Sequence, residues 1–150
     1  MKAKTLLVLA VALCVAADKP KPDAKKELAN LQGTWVMAGL EVEGVEVPEK
    51  KLAGTTLVIK GDKYTVKVKA TSHETTIKID PTTDPKSIDT YFPNGTELPK
   101  LSKGVYELDG DTLKICRHQT PGEDRPTQIG SWPNTNLFVV TWKRKELRTK

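Results

Sequence analysis

Cysteine is nearly absent: Cys14 and Cys116 are the only two in 150 residues, and Cys14 sits in an apolar run at the N-terminus. If that run is removed, Cys116 stands alone, no intramolecular disulfide can form, and a disulfide-stapled scaffold is excluded. The default reading of Cys116 is a small buried side chain, ahead of a reactive thiol. Histidine is as scarce, with only His73 and His118. Cys116 and His118 would share one strand face, but a zinc site wants three or four converging ligands, and nothing in the sequence brings His73 to them. No metal and no cofactor is therefore expected. There is no Gly-x-Ser-x-Gly elbow, and a thiol and an imidazole two residues apart do not resemble the separate elements that supply a nucleophile and its base, so no catalytic residue is assigned. The acidic pairs Asp109/Asp111 and Glu123/Asp124 lie in turn sequences, where backbone chemistry favours such residues. Beyond the N-terminal run no apolar stretch approaches the roughly 20 residues of a membrane-spanning helix.

The N-terminal run has the organisation of an export signal. Lys2 and Lys4 precede an apolar segment from Leu6 to Val15, and Val15-Ala16-Ala17 offers small or tolerated residues to a signal peptidase. Cleavage near Ala17 is expected, leaving a secreted or periplasmic protein with a polar leader at 18–22 and one domain at 23–150. Lipid anchoring at Cys14 is disfavoured because Leu13 fills the position that a lipoprotein signal reserves for a small residue. The 133 residues after the signal are about 32% apolar, enough for one core but not two, which excludes a multidomain enzyme. Loss of Lys2 and Lys4 lowers the formal net charge from +5 to +3. The densest basic cluster, Lys143, Arg144, Lys145, Arg148 and Lys150, has only Trp142 as an aromatic neighbour. It reads as a solvated strand end, and no nucleic-acid partner is expected.

Asp23 is placed to cap a short helix through Ala24, Glu27, Leu28 and Leu31 that stops at Gly33. Period two then takes over. Tyr64, Val66 and Val68 alternate with lysine and threonine, and Thr75, Ile77 and Ile79 alternate with Glu74, Thr76 and Lys78, the pattern of strands with one wet face. Gly61-Asp62 and Asp109-Gly110-Asp111 are tight-turn signals, and Asn94-Gly95 is another, its Thr96 completing a glycosylation sequon. Asp80-Pro81 and Asp84-Pro85 bracket a loop. The spacing predicts eight strands near 34–42, 55–60, 63–69, 73–79, 86–92, 103–108, 111–117 and 136–144, with a helical turn at Pro48–Leu52. Sequential antiparallel strands on short turns suit an all-β up-and-down barrel, with a sandwich as the alternative.

Leu31-Gln32-Gly33-Thr34-Trp35 resembles the Gly-x-Trp opening strand of lipocalins. Lys60-Gly61-Asp62-Lys63-Tyr64-Thr65-Val66, Ile79-Asp80-Pro81, Pro85-Lys86-Ser87-Ile88-Asp89, the run from Gly104 to Cys116 and Arg125-Pro126-Thr127 extend the likeness. Together they resemble a family of small exported lipocalin-like proteins abundant in planctomycetes, over about Leu28 to Arg144. The resemblance implies a lipocalin-like barrel outside the cytoplasm and brings no ligand or activity with it. It also implies structural roles for Gly33, Trp35 and Arg144, with the arginine of the last strand lying over the tryptophan at the barrel's closed end.

An eight-stranded barrel is either just filled by its side chains or holds one small ligand. The expected inward set is Trp35, Met37, Tyr64, Val66, Ile77, Tyr106, Leu113, Ile115, Phe138 and Val140. Of these, Trp35, Met37, Tyr64, Val66, Tyr106, Ile115 and Phe138, with Arg117, are the candidate ligand-binding residues, suited to a small apolar or amphipathic molecule. Arg117 shares the parity of Leu113 and Ile115; a solvated strand end is the favoured placement, an inward guanidinium facing an anionic ligand group the other. Arg125, flanked by proline, is expected to cap a carbonyl. Trp132 either plugs the barrel end or anchors a partner. Two functions follow: a monomeric carrier of a small hydrophobic ligand, or a filled barrel acting through its loops on an envelope protein or polysaccharide.

Overall fold

The computed structural model describes residues 20–93 and 100–146. The N-terminal run expected to be an export signal, with Cys14, Asn94-Gly95-Thr96, Arg148 and Lys150, lies outside these residues.

Helix α1 (Ala24–Leu31) begins where expected: Asp23 Oδ1 accepts the Lys25 amide at 2.9 Å, satisfying one of the free N–H groups of the first turn. The helix ends a residue or two before Gly33, because Gln32 turns extended and its side chain clasps a distant turn. Gln32 Nε2 donates to Gly61 O at 3.0 Å while its Oε1 accepts from Gly61 N at 2.6 Å. Leu31 on the inner face is fully buried.

The strands are β1 (Gly33–Val42), β2 (Val45–Glu46), β3 (Thr55–Lys60), β4 (Lys63–Val68), β5 (Thr71–Asp80), β6 (Lys86–Phe92), β7 (Lys100–Asp109), β8 (Thr112–His118) and β9 (Leu137–Arg144), with a short helix α2 (Glu49–Leu52) between β2 and β3. From β3 to β9 each strand pairs antiparallel with the next, β1 pairs with β3, and β9 returns to β1. The wall is thus a closed eight-stranded antiparallel barrel of lipocalin-like form. The ninth strand, β2, is an addition: a two-residue rung on the end of β1 (Glu41↔Glu46, Val42↔Val45), too short to carry a period in the sequence.

A register shift between Met37 and Gly39 in the β1–β9 pairing resets the alternation. Trp35 and Met37 face inward before it, and Leu40, opposite Val140, and Val42, opposite Phe138, face inward after it. The ten residues expected inside all belong to one interior cluster, joined by Leu31, Leu57, Ile59, Ile79, Ile88 and Trp142. A second cluster lies on the outer wall, where Val105, Cys116 and Leu137 pack with Ile129 and Val139 beneath the long connection between β8 and β9.

That connection is strapped to the wall by half-buried polar contacts. Arg125 Nη1 donates to Gly104 O at 2.7 Å, the expected carbonyl cap, and lies 2.8 Å from Asp89 Oδ1, an ionic contact without hydrogen-bond alignment. Ser131 Oγ donates to Glu41 Oε1 at 2.7 Å and accepts the Gly44 amide at 2.9 Å.

Candidate ligand site in the barrel

The two ends of the barrel differ in chemistry. At the closed end, α1 lies across the strands. Trp35 is 0% exposed and its Nε1–H donates to Leu31 O at 3.0 Å. The Arg144 guanidinium carbon sits 4.1 Å from the Trp35 ring centroid. Its Nη1 and Nη2 donate to Gln32 O (2.8 Å) and Asn30 O (2.9 Å), carbonyls at the helix end, and its Nε donates to Asp111 Oδ1 at 2.9 Å. Asp111 is therefore more than a turn residue, and Arg144 is not simply the solvated end of a basic cluster. Gly33 makes room for this arrangement: its φ is +122°, and a Cβ there would lie 3.3 Å from Arg144 Nη1. Beside it the Lys86 ammonium pairs with Glu27, and the Tyr106 hydroxyl donates to Glu27 Oε1 at 3.4 Å. Burial, then the Glu27 charge, pushes the Tyr106 phenol well above its ordinary pKa. Together these contacts hold the helix on the barrel.

The open end is where β1 turns into β2, β4 into β5, and β8 into the outer connection. Here the inward-facing apolar side chains Met37, Leu40, Val66 and Phe138 pack on the core yet remain only partly buried. An inward side chain of a closed wall meets water toward one end or the other: these four lie toward the open end, and Leu108 is likewise half-buried at the closed one. The eight candidate residues accordingly fall into two groups. Trp35, Tyr64, Tyr106 and Ile115 are at most 3% exposed and belong to the packed interior. Met37, Val66, Arg117 and Phe138 are the ones in reach of the mouth.

Arg117 corrects the favoured sequence expectation. It is not a solvated strand end: its parity with Leu113 and Ile115 continues to the end of β8, and the guanidinium points into the barrel. Nη1 donates to Thr90 Oγ1 at 3.0 Å, and the guanidinium carbon lies 5.7 Å from the Phe92 ring centroid and 5.3 Å from that of Phe138. The two ring faces attract the cation and offset part of its lost hydration, leaving most of its N–H donors without a partner. Phe92 and Thr90 are partners that sequence reasoning missed, although both share the parity of Ile88 on β6. Deeper in, Tyr64 and Trp142 are 3% and 1% exposed. Burial raises the Tyr64 pKa, opposed by the Arg117 charge and by the indole N–H of Trp142. That N–H donates no hydrogen bond and is buried without an acceptor.

The remaining candidates lie on the outer wall or rim. Cys116 faces away from the interior, is 0% exposed and donates its thiol to Gly130 O at 3.3 Å; burial pushes its pKa up. Its native-state reaction with a thiol reagent should therefore be slow and should accelerate sharply in denaturant; rapid labelling of the folded protein would instead mark a reactive cysteine. Among the described residues no three metal-ligating side chains converge. Trp132 does not plug the barrel: it is 43% exposed, folded over Gly130, whose Cβ would collide with its ring at 2.7 Å. A surface groove of about 640 Å³ lies outside the wall, between α2 and Ile129-Gly130. No helix among the described residues is long and apolar enough to cross a membrane. No protein-family model, curated protein or solved structure matches the chain.

Proposed function

We propose that this chain is an exported, monomeric lipocalin-like binding protein that holds a small apolar or amphipathic ligand in the open half of its barrel, without catalysis, metal or redox cofactor. The observation that carries the reading is the partial exposure of Met37, Val66 and Phe138, which point into a closed wall yet retain contact with solvent. A ligand covering them gains about 25 cal/mol per Å² of apolar surface removed from water, before ordering costs. The packed closed half gives the cup a rigid floor. The resemblance to the planctomycete family and the N-terminal apolar run support placement outside the cytoplasm.

Native mass spectrometry of the protein purified from its own host, followed by solvent extraction, tests this. A small molecule bound in the native state and released on denaturation is the expected result. A bare polypeptide mass, with no thermal stabilisation by a panel of lipids and metabolites, favours the second reading, in which the barrel acts through its loops on an envelope protein or polysaccharide. One observation favours that alternative: among the described residues the exposed large hydrophobic side chains, Val45 (68%), Val68 (41%) and Trp132 (43%), all lie around the open rim.

A further inference from the structure

We infer that the occupant of the barrel is an amphipathic carboxylate whose head is bound by Arg117; the inference rests on the binding reading above and names the ligand class. The argument is one of charge and donor balance. No inward-facing strand position, from Gly33 on β1 to Arg144 on β9, carries an aspartate or glutamate. Arg117 forms no salt bridge among the described residues; its one hydrogen bond there is to the neutral Thr90 hydroxyl. A guanidinium drawn inside a protein without a counter-charge loses hydration that one hydroxyl does not replace.

Deeper in the interior, acceptors are short in the same way. Trp142 Nε1–H is fully buried with no acceptor, and next to it the Tyr64 phenol is held in its protonated, donor-capable form. Phe92 and Phe138 fix the guanidinium without using its N–H edges, since ring faces attract the cation and leave the fork of donors free. Thr90 Oγ1, having accepted from Arg117, has its own proton to give. The missing component is an acceptor with one negative charge and two oxygens. A carboxylate supplies it and matches the fork of one guanidinium; Lys100, opposite Phe92 on the same face, is exposed at the rim. The apolar flank of Met37, Val66 and Phe138 suits the rest of such a molecule.

The test measures binding of dodecanoate, dodecanol and dodecyl phosphate to the full chain by tryptophan fluorescence and calorimetry. Wild type should bind dodecanoate about tenfold or more tightly than dodecanol, the range expected of a charge-assisted hydrogen-bonded pair. Arg117→Met should abolish that preference, so that acid and alcohol bind within about twofold of each other, while an unchanged circular-dichroism spectrum and thermal midpoint report an intact barrel. Arg117→Lys should restore only part of it. Equal affinity for the acid and the alcohol in wild type overturns the carboxylate head but leaves the barrel reading standing. Binding of none of the three overturns both, and tighter binding of dodecyl phosphate overturns the choice of head. Glu97, outside the described residues, is the one acid between Pro93 and Lys100. The preference should persist in Glu97→Gln; one that emerges only in that variant assigns Arg117 to an internal ion pair and overturns the proposal.

Discussion

Trp35→Ala should destabilise the protein by about 3–5 kcal/mol, the range for truncating a buried aromatic ring. The expectation is at the high end of single substitutions because three separate supports fail together. The indole is 0% exposed and fills the floor of the barrel. Its N–H satisfies Leu31 O at the end of α1, which would be left buried and unpaired. Its ring carries the guanidinium of Arg144, which would then face a cavity. The local surroundings cannot collapse to fill the space, since α1 is tied across the barrel by the Gln32–Gly61 clasp and the Glu27–Lys86 pair. Denaturant titration followed by tryptophan fluorescence and circular dichroism measures the loss; a midpoint equal to wild type would refute the floor role.

Replacing Arg144 should have the next largest effect, about 2–4 kcal/mol for Arg144→Met. The two carbonyl bonds to Asn30 and Gln32 dominate the estimate, each a charge-assisted hydrogen bond worth about 1.5–3 kcal/mol before the cost of ordering the side chain. The Asp111 contact adds little, since that carboxylate is 79% exposed and screened by water. The stacking on Trp35 adds up to about 2 kcal/mol where it is shielded. Arg144→Lys keeps the charge but not the fork that reaches two carbonyls at once, so it should recover less than half of the loss. A double-mutant cycle with Trp35→Phe isolates the stacking, and a coupling energy near zero would show that the arginine acts through the helix end alone.

Much of the barrel was legible because period two is a strong signal when one face of each strand is buried. Tyr64-Val66 and Leu113-Ile115 alternate with lysine and threonine, and the structure places them as the alternation directs. The closed-end contact of Trp35 and Arg144 was legible only through resemblance, since residues at opposite ends of a chain carry no local sign of meeting. Three features lay beyond sequence reasoning. The register shift after Met37 replaces Gly39 and Glu41 with Leu40 and Val42 at inward positions, and strict alternation misses it. Val45-Glu46 forms a strand only because β1 runs past the end of its pairing with β3 and offers a free edge. Arg117 has a parity that pointed inward and a charge that pointed outward. Parity prevailed because Phe92 and Phe138 come together from strands far apart in sequence and shelter the guanidinium. The role of Asp111 was hidden for the opposite reason: its place in a tight turn already explained it.

The seam between the first and last strands has a kinetic consequence. Strand β1 takes one neighbour, β3, from nearby sequence and the other, β9, from across nearly the whole described chain, in a register running from Val42–Phe138 to Trp35–Arg144. The hairpins from β3 to β8 can form as local units, but the wall cannot close, nor Trp35 receive its cap, until β9 arrives. Folding of such a chain is governed by high contact order and runs in milliseconds to seconds rather than microseconds. In that interval the free side of β1 is an open row of amides and carbonyls, flanked by the unshielded indole of Trp35. A copy caught there presents the edge that another copy's β9 is shaped to fill, so strand exchange is the misassembly this topology invites.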